Sequence, residues 1–280
     1  MRLIVDSGSS KADWVVVDRG ITIGQFITKG INPFFQTSDE ILELVKTTFN
    51  SVLIAGKIEN IYFYGAGCIK NHNTSIVQDG LQQYFAAAHI EVEDDMIGAA
   101  HAVFGNNPGI ACILGTGANS CKFDGSSITE KISALGYILG DEASGAYFGK
   151  ILINNYFKKI MPVDLAEKFN QEYQPIEREI LNIVYRQPYP NRFLAKFTHF
   201  LSKNIDHTYV KSALASGFEA FIANNIMKYS DYNNYSVGFV GSMAYHFSEI
   251  LLEVGAKHKI KIEKIIEKPI DGLVQYHIGN

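Results

Sequence analysis

Two short turns built of glycine and other small residues in this 280-residue chain carry residue types that can bind phosphate. Each turn lies between two mostly apolar runs, the pattern of two strands joined by a tight turn. Glycine permits positive φ and lets the backbone approach a ligand closely. Successive N–H groups can then form a concave cradle for a phosphate. The two turns are Asp6-Ser7-Gly8-Ser9-Ser10-Lys11 and Gly115-Thr116-Gly117.

An ordinary hairpin turn explains either sequence equally well when it is taken alone. What favours a phosphate-containing ligand is the repetition, since one turn lies near the start of each half of the chain. The hydroxyl of Thr116 adds a further donor to the second cradle. The pair of turns therefore predicts a two-lobed nucleotide site.

The elements that hold these turns occur in a similar order in both halves. Each half is predicted to have three strands in a row, followed by alternating helices and strands. In the first half, the spacing of Thr37 and Glu40 predicts a capping box at a helix that runs to Phe49. Asn73 predicts the cap of a second helix that extends to about residue 89. The predicted strands of this half span 3–5, 13–18, 21–28, 58–64 and 90–92.

A cluster of helix and strand breakers at 105–109 marks the boundary between the lobes. We predict an N-terminal lobe over 1–106 and a C-terminal lobe over 107–267, with a terminal helix at about 268–280 packing back on the first lobe. In the second lobe, we predict strands over 110–114, 120–123, 127–131, 237–240 and 260–266, and helices over 141–156, much of 162–229 and 245–256.

Composition excludes several classes of partner. The net charge is −4 with a sequence pI of about 6.1, and no basic block is present. This argues against nucleic acid and against an anionic membrane surface as partners. Three cysteines without a CxxC pair do not form a disulfide framework. With no signal-peptide pattern and no apolar run of membrane-spanning length, we expect a cytoplasmic protein.

Five motifs follow one another along the chain: the turn at 6–11, Asp95 at a helix start, and the segments 115–119, 140–145 and 240–242. In this order they resemble the actin, hexokinase and sugar-kinase superfamily, and most closely the N-acetylglucosamine kinases. Those kinases share a family with the ATPases that activate benzoyl-CoA reductase and hydroxyacyl-CoA dehydratase. The resemblance implies an α/β fold of the two-lobed, actin-like ATPase (ribonuclease H-like) type, in which each lobe is a mixed sheet with flanking helices.

The resemblance also implies an ATP-dependent carbohydrate kinase that uses Mg²⁺ and a small-molecule sugar, and it leaves a homodimer open. It implies that Asp95 is the catalytic base and also contacts the sugar, and that Asp6 holds Mg²⁺, usually through water. Asn32 and Asp141 match residues that bind sugar hydroxyls. The nucleotide-binding positions that match the family are Gly8, Ser9, Ser10, Lys11, Gly115, Thr116, Gly117, Gly241 and Ser242.

Each of these polar residues has an alternative interpretation from the sequence alone. Asp95 could be a carboxylate that the dipole of the helix N-terminus favours, as Asp94 could be, and without the resemblance this interpretation is preferred. Asp141 could be a helix N-cap. Asn32 precedes Pro33, so a turn-forming role competes with sugar binding. Phosphoryl transfer nevertheless needs a base near the acceptor hydroxyl, which Asp95 can supply.

One segment departs from the family pattern. N-acetylglucosamine kinases carry Gly-Gly-Trp-Gly-His before the Gly-Asp-Glu motif, whereas this chain has Ser-Ala-Leu-Gly-Tyr at 133–137, with Leu135 at the tryptophan position. We therefore expect an amino-sugar kinase with N-acetylglucosamine as the first candidate acceptor and glucosamine as the second. The rival interpretations are a conformational ATPase that activates a partner reductase or dehydratase, and a sugar-sensing protein without turnover.

Overall fold

The computed structural model describes residues 1–8, 10–49, 55–70 and 72–279. Within it the chain divides into two compact units. The first comprises Met1–Asn107, Gly125–Ser127 and Lys268–Asn280, and the second comprises Pro108–Asp124 and Ile128–Glu267. That the two lobes are separate folding domains stays a prediction.

Each unit contains one five-stranded sheet. The strands of the first unit are β1 (Arg2–Ser7), β2 (Lys11–Asp18), β3 (Ile21–Lys29), β4 (Asn60–Gly65) and β5 (His89–Asp94). Those of the second unit are β6 (Gly109–Leu114), β7 (Ala118–Phe123), β8 (Ile128–Ile132), β9 (Val237–Val240) and β10 (Ile262–Ile266).

The helices of the described residues follow in chain order. They are α1 (Ser38–Phe49), α2 (Thr74–Gln82), α3 (Asp95–Phe104), α4 (Gly136–Leu139), α5 (Gly145–Phe157), α6 (Val163–Tyr173), α7 (Glu177–Arg186), α8 (Pro190–Ala195), α9 (Thr198–Lys203), α10 (Thr208–Asn224), α11 (Ser242–His246), α12 (Ser248–Lys257) and α13 (Pro269–Gly279). No helix among the described residues is long and apolar enough to cross a membrane.

The two sheets have the same topology. The strand order is β3-β2-β1-β4-β5 in the first sheet and β10-β9-β6-β7-β8 in the second. In each, the first three strands of the unit are antiparallel neighbours, and the last two are parallel to the central strand. The predicted repetition of three strands followed by alternating helices and strands is therefore confirmed. Both phosphate-type turns join corresponding strands, β1 to β2 and β6 to β7.

Each unit has its own hydrophobic core. In the first, Trp14 is fully buried and packs edge-on against Phe49 and Phe63, with ring centroids 5.6 and 6.4 Å away. Such aromatic pairs contribute about 0.5–1.5 kcal/mol each beyond the area they bury. In the second unit, Phe148 and Phe218 pack in the same edge-on way at 6.2 Å. These cores fix the sheets whose edges carry the turns.

The helix starts confirm one capping prediction and correct another. The Thr37 N–H donates to the Glu40 carboxylate at 2.8 Å and the Glu40 N–H donates to the Thr37 hydroxyl at 3.3 Å, so the capping box is confirmed. Asn73 occupies the predicted N-cap position of α2, but its side chain caps no helical N–H, because its amide accepts the Ile69 N–H and donates to the Gly67 carbonyl instead. The helix after it is shorter than predicted and ends at Gln82.

Two further boundaries differ from the prediction. The helix predicted over 245–256 is two helices, α11 and α12. Helical structure begins directly after Gly241 and is interrupted at Phe247. The helix predicted from Asp141 starts instead at Gly145, where the Ser144 hydroxyl accepts the Tyr147 N–H at 3.1 Å. Ser144 is therefore the N-cap, and the alternative interpretation of Asp141 as that cap is wrong.

Candidate functional site

In the first unit, three neighbouring strands bring the candidate residues to one edge of the sheet. Strands β1, β4 and β5 are parallel to one another, so their carboxyl ends lie side by side, where ligands bind in open α/β sheets. Asp6 lies near the end of β1, and Asp95 starts α3 directly after β5. The β1–β2 turn and the start of α3 therefore share this edge.

Asp6 is the most strongly perturbed carboxyl group at this edge. The pKa of Asp6 is raised to about 7, mainly by burial and also by the charges of Asp95 and Asp13, while the charge of Lys11 lowers it. Negative groups therefore converge on Asp6 from two directions. Such an arrangement favours a cation, since a bound positive charge would offset the mutual repulsion of the carboxylates.

Asp13 is a member of this acidic group that the sequence analysis did not identify. It pairs with Asp6 across β1 and β2, is only 8% exposed, and forms an ion pair with Lys11 at 3.0 Å. Lys11 is therefore held by a partner on its own strand. The period-two pattern of a strand places Lys11 and Asp13 on one face, and this signal in the sequence could have found the pair.

Asp94 and Asp95 lie at the same helix start but have different surroundings. The Asp94 carboxylate accepts the Met96 N–H at 2.7 Å, which makes Asp94 the N-cap of α3. Asp95 is the first residue of the helix and is half-buried, and its charge raises the pKa of Asp6. Capping is thus the task of Asp94, whereas Asp95 is one of the charges that raise the pKa of Asp6.

Asn32 forms a turn beside this edge. Its side-chain oxygen accepts the Phe34 N–H at 2.9 Å, and its own N–H donates to the Gln36 side chain at 2.7 Å. Its amide also lies against Gly67, where a Cβ would come within 2.6 Å of the Asn32 oxygen. The loop is tied to β1 by the buried Ser7 hydroxyl, which accepts the Ile31 N–H at 2.8 Å. The turn-forming role is therefore present.

In the second unit, the β6–β7 turn and the turn after β9 lie at one edge. Strands β6 and β9 are parallel neighbours, so Gly115 and Gly241 follow adjacent strand ends. Gly241 has φ of +118°, a region that side chains rarely adopt, and a Cβ there would overlap the Leu114 carbonyl oxygen. Only glycine allows these two turns to approach so closely. Ser242 is exposed and begins α11.

Asp141 lies against the β6–β7 turn. The residue is only 8% exposed, and a Cβ on Gly117 would be 3.0 Å from its carboxylate. Burial raises the pKa of Asp141, as does the charge of Glu142, while the Ala118 N–H that the carboxylate accepts and the charge of Lys150 lower it. Asp141 also has φ of +53°, an unusual backbone conformation for a residue other than glycine.

The structure thus collects the sequence-predicted residues into two groups. Asp6, Gly8, Lys11 and Asp95 lie at the edge of the first sheet, with the Asn32 loop tied to β1. Gly115, Thr116, Gly117, Asp141 and Gly241 lie at the corresponding edge of the second sheet, and Ser242 follows Gly241. Ser10 is exposed in the first turn, and Ser9 lies outside the described residues.

The acidic group fits a magnesium ion that is bound mainly by water and by phosphates of a substrate. Carboxylate oxygens are the ligands that Mg²⁺ prefers, and the ion commonly takes only one or two of them. Among residues 1–8, 10–49, 55–70 and 72–279, no group of three or more His, Cys, Asp or Glu side chains is arranged to hold a metal. Asp6, a buried carboxylate beside the charges of Asp95 and Asp13, is the residue of this group that fits the ion.

The chain is similar to several solved structures of other proteins. No protein-family model and no curated protein matches the chain. A structure from Porphyromonas gingivalis, described as a "putative N-acetylglucosamine kinase", is 41% identical, covers 100% of this chain and 99% of its own, and has a TM-score of 0.95.

Two more distant structures share the fold. A protein from Chromobacterium violaceum with the same description is 15% identical, covers 98% of both chains and has a TM-score of 0.66. A Listeria monocytogenes protein, described as a "putative N-acetylmannosamine kinase", is 12% identical, covers 99% of this chain and 98% of its own, and has a TM-score of 0.54.

These structures confirm the predicted fold class, an actin-like ATPase fold of the kind found in sugar kinases. They correct one part of the resemblance, because they give no support to the grouping with activators of benzoyl-CoA reductase and hydroxyacyl-CoA dehydratase.

Proposed function

The chain belongs to the same family as the Porphyromonas gingivalis protein, and from this premise we propose that it is an ATP-dependent sugar kinase whose acceptor is an amino sugar. N-acetylglucosamine is the first candidate acceptor, and glucosamine is the second. The family relation and the sugar-kinase fold support transfer of a phosphoryl group to a carbohydrate hydroxyl.

The observation that carries the proposal is the convergence of Asp95 on Asp6 at the end of β1. Phosphoryl transfer requires that the phosphates be held, that their charge be offset, and that a base accept the proton of the attacking hydroxyl. After burial, the charge of Asp95 is the largest cause that raises the pKa of Asp6, so the two carboxylates are near enough to interact. In the proposed mechanism, Asp95 accepts the hydroxyl proton, and such a base contributes about 10²–10⁴-fold in rate.

Asp6 is the residue we assign to Mg²⁺, which when bound would offset the negative charge of the phosphates. The two glycine turns would hold the phosphates themselves through backbone N–H groups. The turn after β9 would pack against the adenosine. The proposed nucleotide-binding residues are Gly8, Ser9, Ser10, Lys11, Gly115, Thr116, Gly117, Gly241 and Ser242.

Asn32 and Asp141 are proposed to contact sugar hydroxyls, and both are already held in place by backbone contacts. Leu135 stands where the family has tryptophan, is 62% exposed and has φ of +59°. A leucine offers the acceptor no flat aromatic face, so the range of accepted sugars is expected to differ from that of kinases with the tryptophan.

The buried cysteines favour the kinase over the rival interpretation of a conformational activator. Such activators hold an iron–sulfur cluster between subunits, which requires thiolates near the protein surface. Cys68, Cys112 and Cys121 each have no exposed area. Burial also raises the pKa of the Cys68 and Cys112 thiols, which opposes the deprotonated state that a cluster needs.

A panel of acceptors tests the proposal. The purified protein is incubated with ATP and Mg²⁺ together with N-acetylglucosamine, glucosamine, N-acetylmannosamine or glucose, and phosphorylated products are detected by ³¹P NMR. We expect a sugar phosphate with at least one of the amino sugars. No phosphorylated sugar from any of these acceptors, with protein that is folded and binds ATP, would contradict the proposal.

A further inference from the structure

Asp141 is positioned by the fold to act on the nucleotide turn. The pairing of β7 with β8 begins only at Ser120, so the N–H of Ala118 lies beyond the last pair on that side. On its other side, β7 pairs Ala118 with Leu114. Since the Gly115 N–H bonds the Gly117 carbonyl in the next pair, the alternation of an antiparallel ladder directs the Ala118 N–H away from β6.

The Asp141 carboxylate occupies the position that β8 leaves open. It accepts the Ala118 N–H, and its oxygen lies 3.0 Å from the point where a Cβ on Gly117 would stand. The backbone of Asp141 is also held in place, because its N–H donates to the Ala134 carbonyl at 3.2 Å. One buried side chain thereby closes the open end of β7 and covers one side of the turn.

The start of α5 holds backbone carbonyl groups of the same turn. The Gly145 N–H donates to the Gly115 carbonyl at 2.7 Å, and the Ala146 N–H donates to the Thr116 carbonyl at 3.1 Å. The segment that leads from Asp141 into α5 contains two residues with positive φ, Asp141 at +53° and Ala143 at +61°. Backbone strain of this kind persists only where surrounding contacts over-determine the conformation.

We propose that Asp141 is a positioning residue that fixes the conformation of the β6–β7 turn and thereby sets the affinity for the nucleotide phosphates. This role is additional to a sugar contact, and it rests on the proposed nucleotide-binding function of the turn. The carboxylate and the start of α5 together determine where the N–H and carbonyl groups of the turn point. Loss of the carboxylate is therefore expected to weaken nucleotide binding even when no sugar is present.

The test compares three variants by titration with a non-hydrolysable ATP analogue and Mg²⁺ in the absence of sugar. Asp141→Gly removes the carboxylate while tolerating positive φ, so its Kd should rise by about tenfold or more. Asp141→Asn keeps an acceptor oxygen and also tolerates positive φ, so its Kd should stay within about threefold of wild type. Glu142→Gln is the matched control, because its carboxylate accepts the Asn224 amide at 3.0 Å instead.

Hydrogen exchange in the nucleotide-free protein gives a readout that does not depend on turnover. In Asp141→Gly, the Ala118 amide should exchange at least about tenfold faster than in wild type. In Asp141→Asn and in the Glu142→Gln control, this amide should exchange at close to the wild-type rate. If Asp141→Gly does not fold, Gly117→Ala is examined in the same way, because its Cβ would lie 3.0 Å from the Asp141 carboxylate and would push on it directly.

The possible failures can be told apart. Wild-type affinity in a folded Asp141→Gly, or unchanged Ala118 exchange in that variant, would overturn the positioning role while leaving the kinase proposal intact. An effect confined to the KM for sugar would also overturn it, since a sugar contact alone predicts that result. Wild-type protein that binds no ATP analogue would overturn the kinase proposal and, with it, the effect of Asp141 on nucleotide affinity.

Discussion

At the scale of single residues, two adjacent carboxylates at the start of α3 have separate tasks. Asp94 accepts the Met96 N–H as the helix cap, while Asp95 interacts with Asp6. We predict that Asp95→Asn lowers kcat by about 10²-fold or more with little change in nucleotide affinity, because asparagine keeps the size but cannot accept the proton. Steady-state kinetics with the active sugar, together with nucleotide titration, measure both quantities.

Asp94→Asn is the matched control for this prediction. Asparagine is a good N-cap, so this variant should lose at most about 1 kcal/mol of stability and should keep most of the kcat. Equal losses of kcat in the two variants would show that the helix end, rather than a base at Asp95, is what turnover requires.

His277 gives a prediction about pH at the residue scale. Burial, followed by the charges of His101 and Arg2, lowers the pKa of His277 to about 4. The unfolded state therefore binds more protons between about pH 6.5 and pH 4, so stability should fall as the pH falls through this window. From about pH 7.5 to about pH 5 we expect a loss of about 1–2 kcal/mol, after a discount for solvent screening.

Chemical denaturation at the two pH values measures this loss. His277 stacks on Tyr62 with ring centroids 3.8 Å apart, and its ring nitrogen bonds the Tyr64 hydroxyl at 2.9 Å. His277→Gln should be less stable at neutral pH because it loses the stacking, but its stability should depend less on pH. An equal pH dependence in wild type and variant would assign the effect to other groups.

The local positions of the candidate site residues could be predicted from sequence more readily than the residues that lie near them in the fold. Glycine turns and a carboxylate after a strand have recognisable local patterns, so Asp6, Asp95 and Gly115 are found at the predicted places. The proximity of Asp141 to Gly117 depends on where β8 ends, a long-range feature that no local pattern records. The period-two pattern of its strand could have placed Asp13 beside Lys11, but its position next to Asp6 follows only from the pairing of β1 with β2.

At the scale of elements, the turn after β9 depends on one glycine. We predict that Gly241→Ala lowers the free energy of unfolding by about 1–3 kcal/mol, because positive φ is unfavourable for alanine and its Cβ would meet the Leu114 carbonyl. Gly115→Ala is the control on the neighbouring turn, since a Cβ there has no atom within 4 Å. Denaturant unfolding of both variants checks the prediction.

In this comparison the control should stay within about 0.5 kcal/mol of wild type. Similar stability for Gly241→Ala and Gly115→Ala would mean that the close approach of the two turns is not required by the fold. The measurement concerns stability alone, because both turns belong to the proposed nucleotide site.

Elements with strong local signals were predicted well, and those shaped by tertiary contacts were not. The capping box at Thr37 and Glu40 fixes the start of α1 through short-range hydrogen bonds. Asn73 has the residue type of a cap, yet its amide bonds the preceding loop at Gly67 and Ile69. The competing tertiary bonds override the local preference, and this cannot be seen in a single sequence.

At the scale of the whole molecule, the repeated sheet topology is the feature that sequence predicted most fully. Three antiparallel strands followed by two parallel ones occur in each unit, and a turn that contains glycine follows the central strand of each. The repeated order of strands and helices in the sequence therefore indicates the same fold as the solved relative does. The acceptor could not be predicted in the same way, because residues such as Leu135 that distinguish sugars follow no periodic pattern.

In the proposed function, the protein transfers the terminal phosphoryl group of ATP to a sugar. The most direct measurement compares the amounts of ADP and phosphorylated sugar formed by wild-type protein with Mg²⁺ and each amino sugar. We predict equal amounts of the two products with the preferred amino sugar, N-acetylglucosamine first, and little ADP when sugar is omitted. ADP and inorganic phosphate released at the same rate with and without sugar, with no sugar phosphate, would contradict the claim and favour a conformational ATPase.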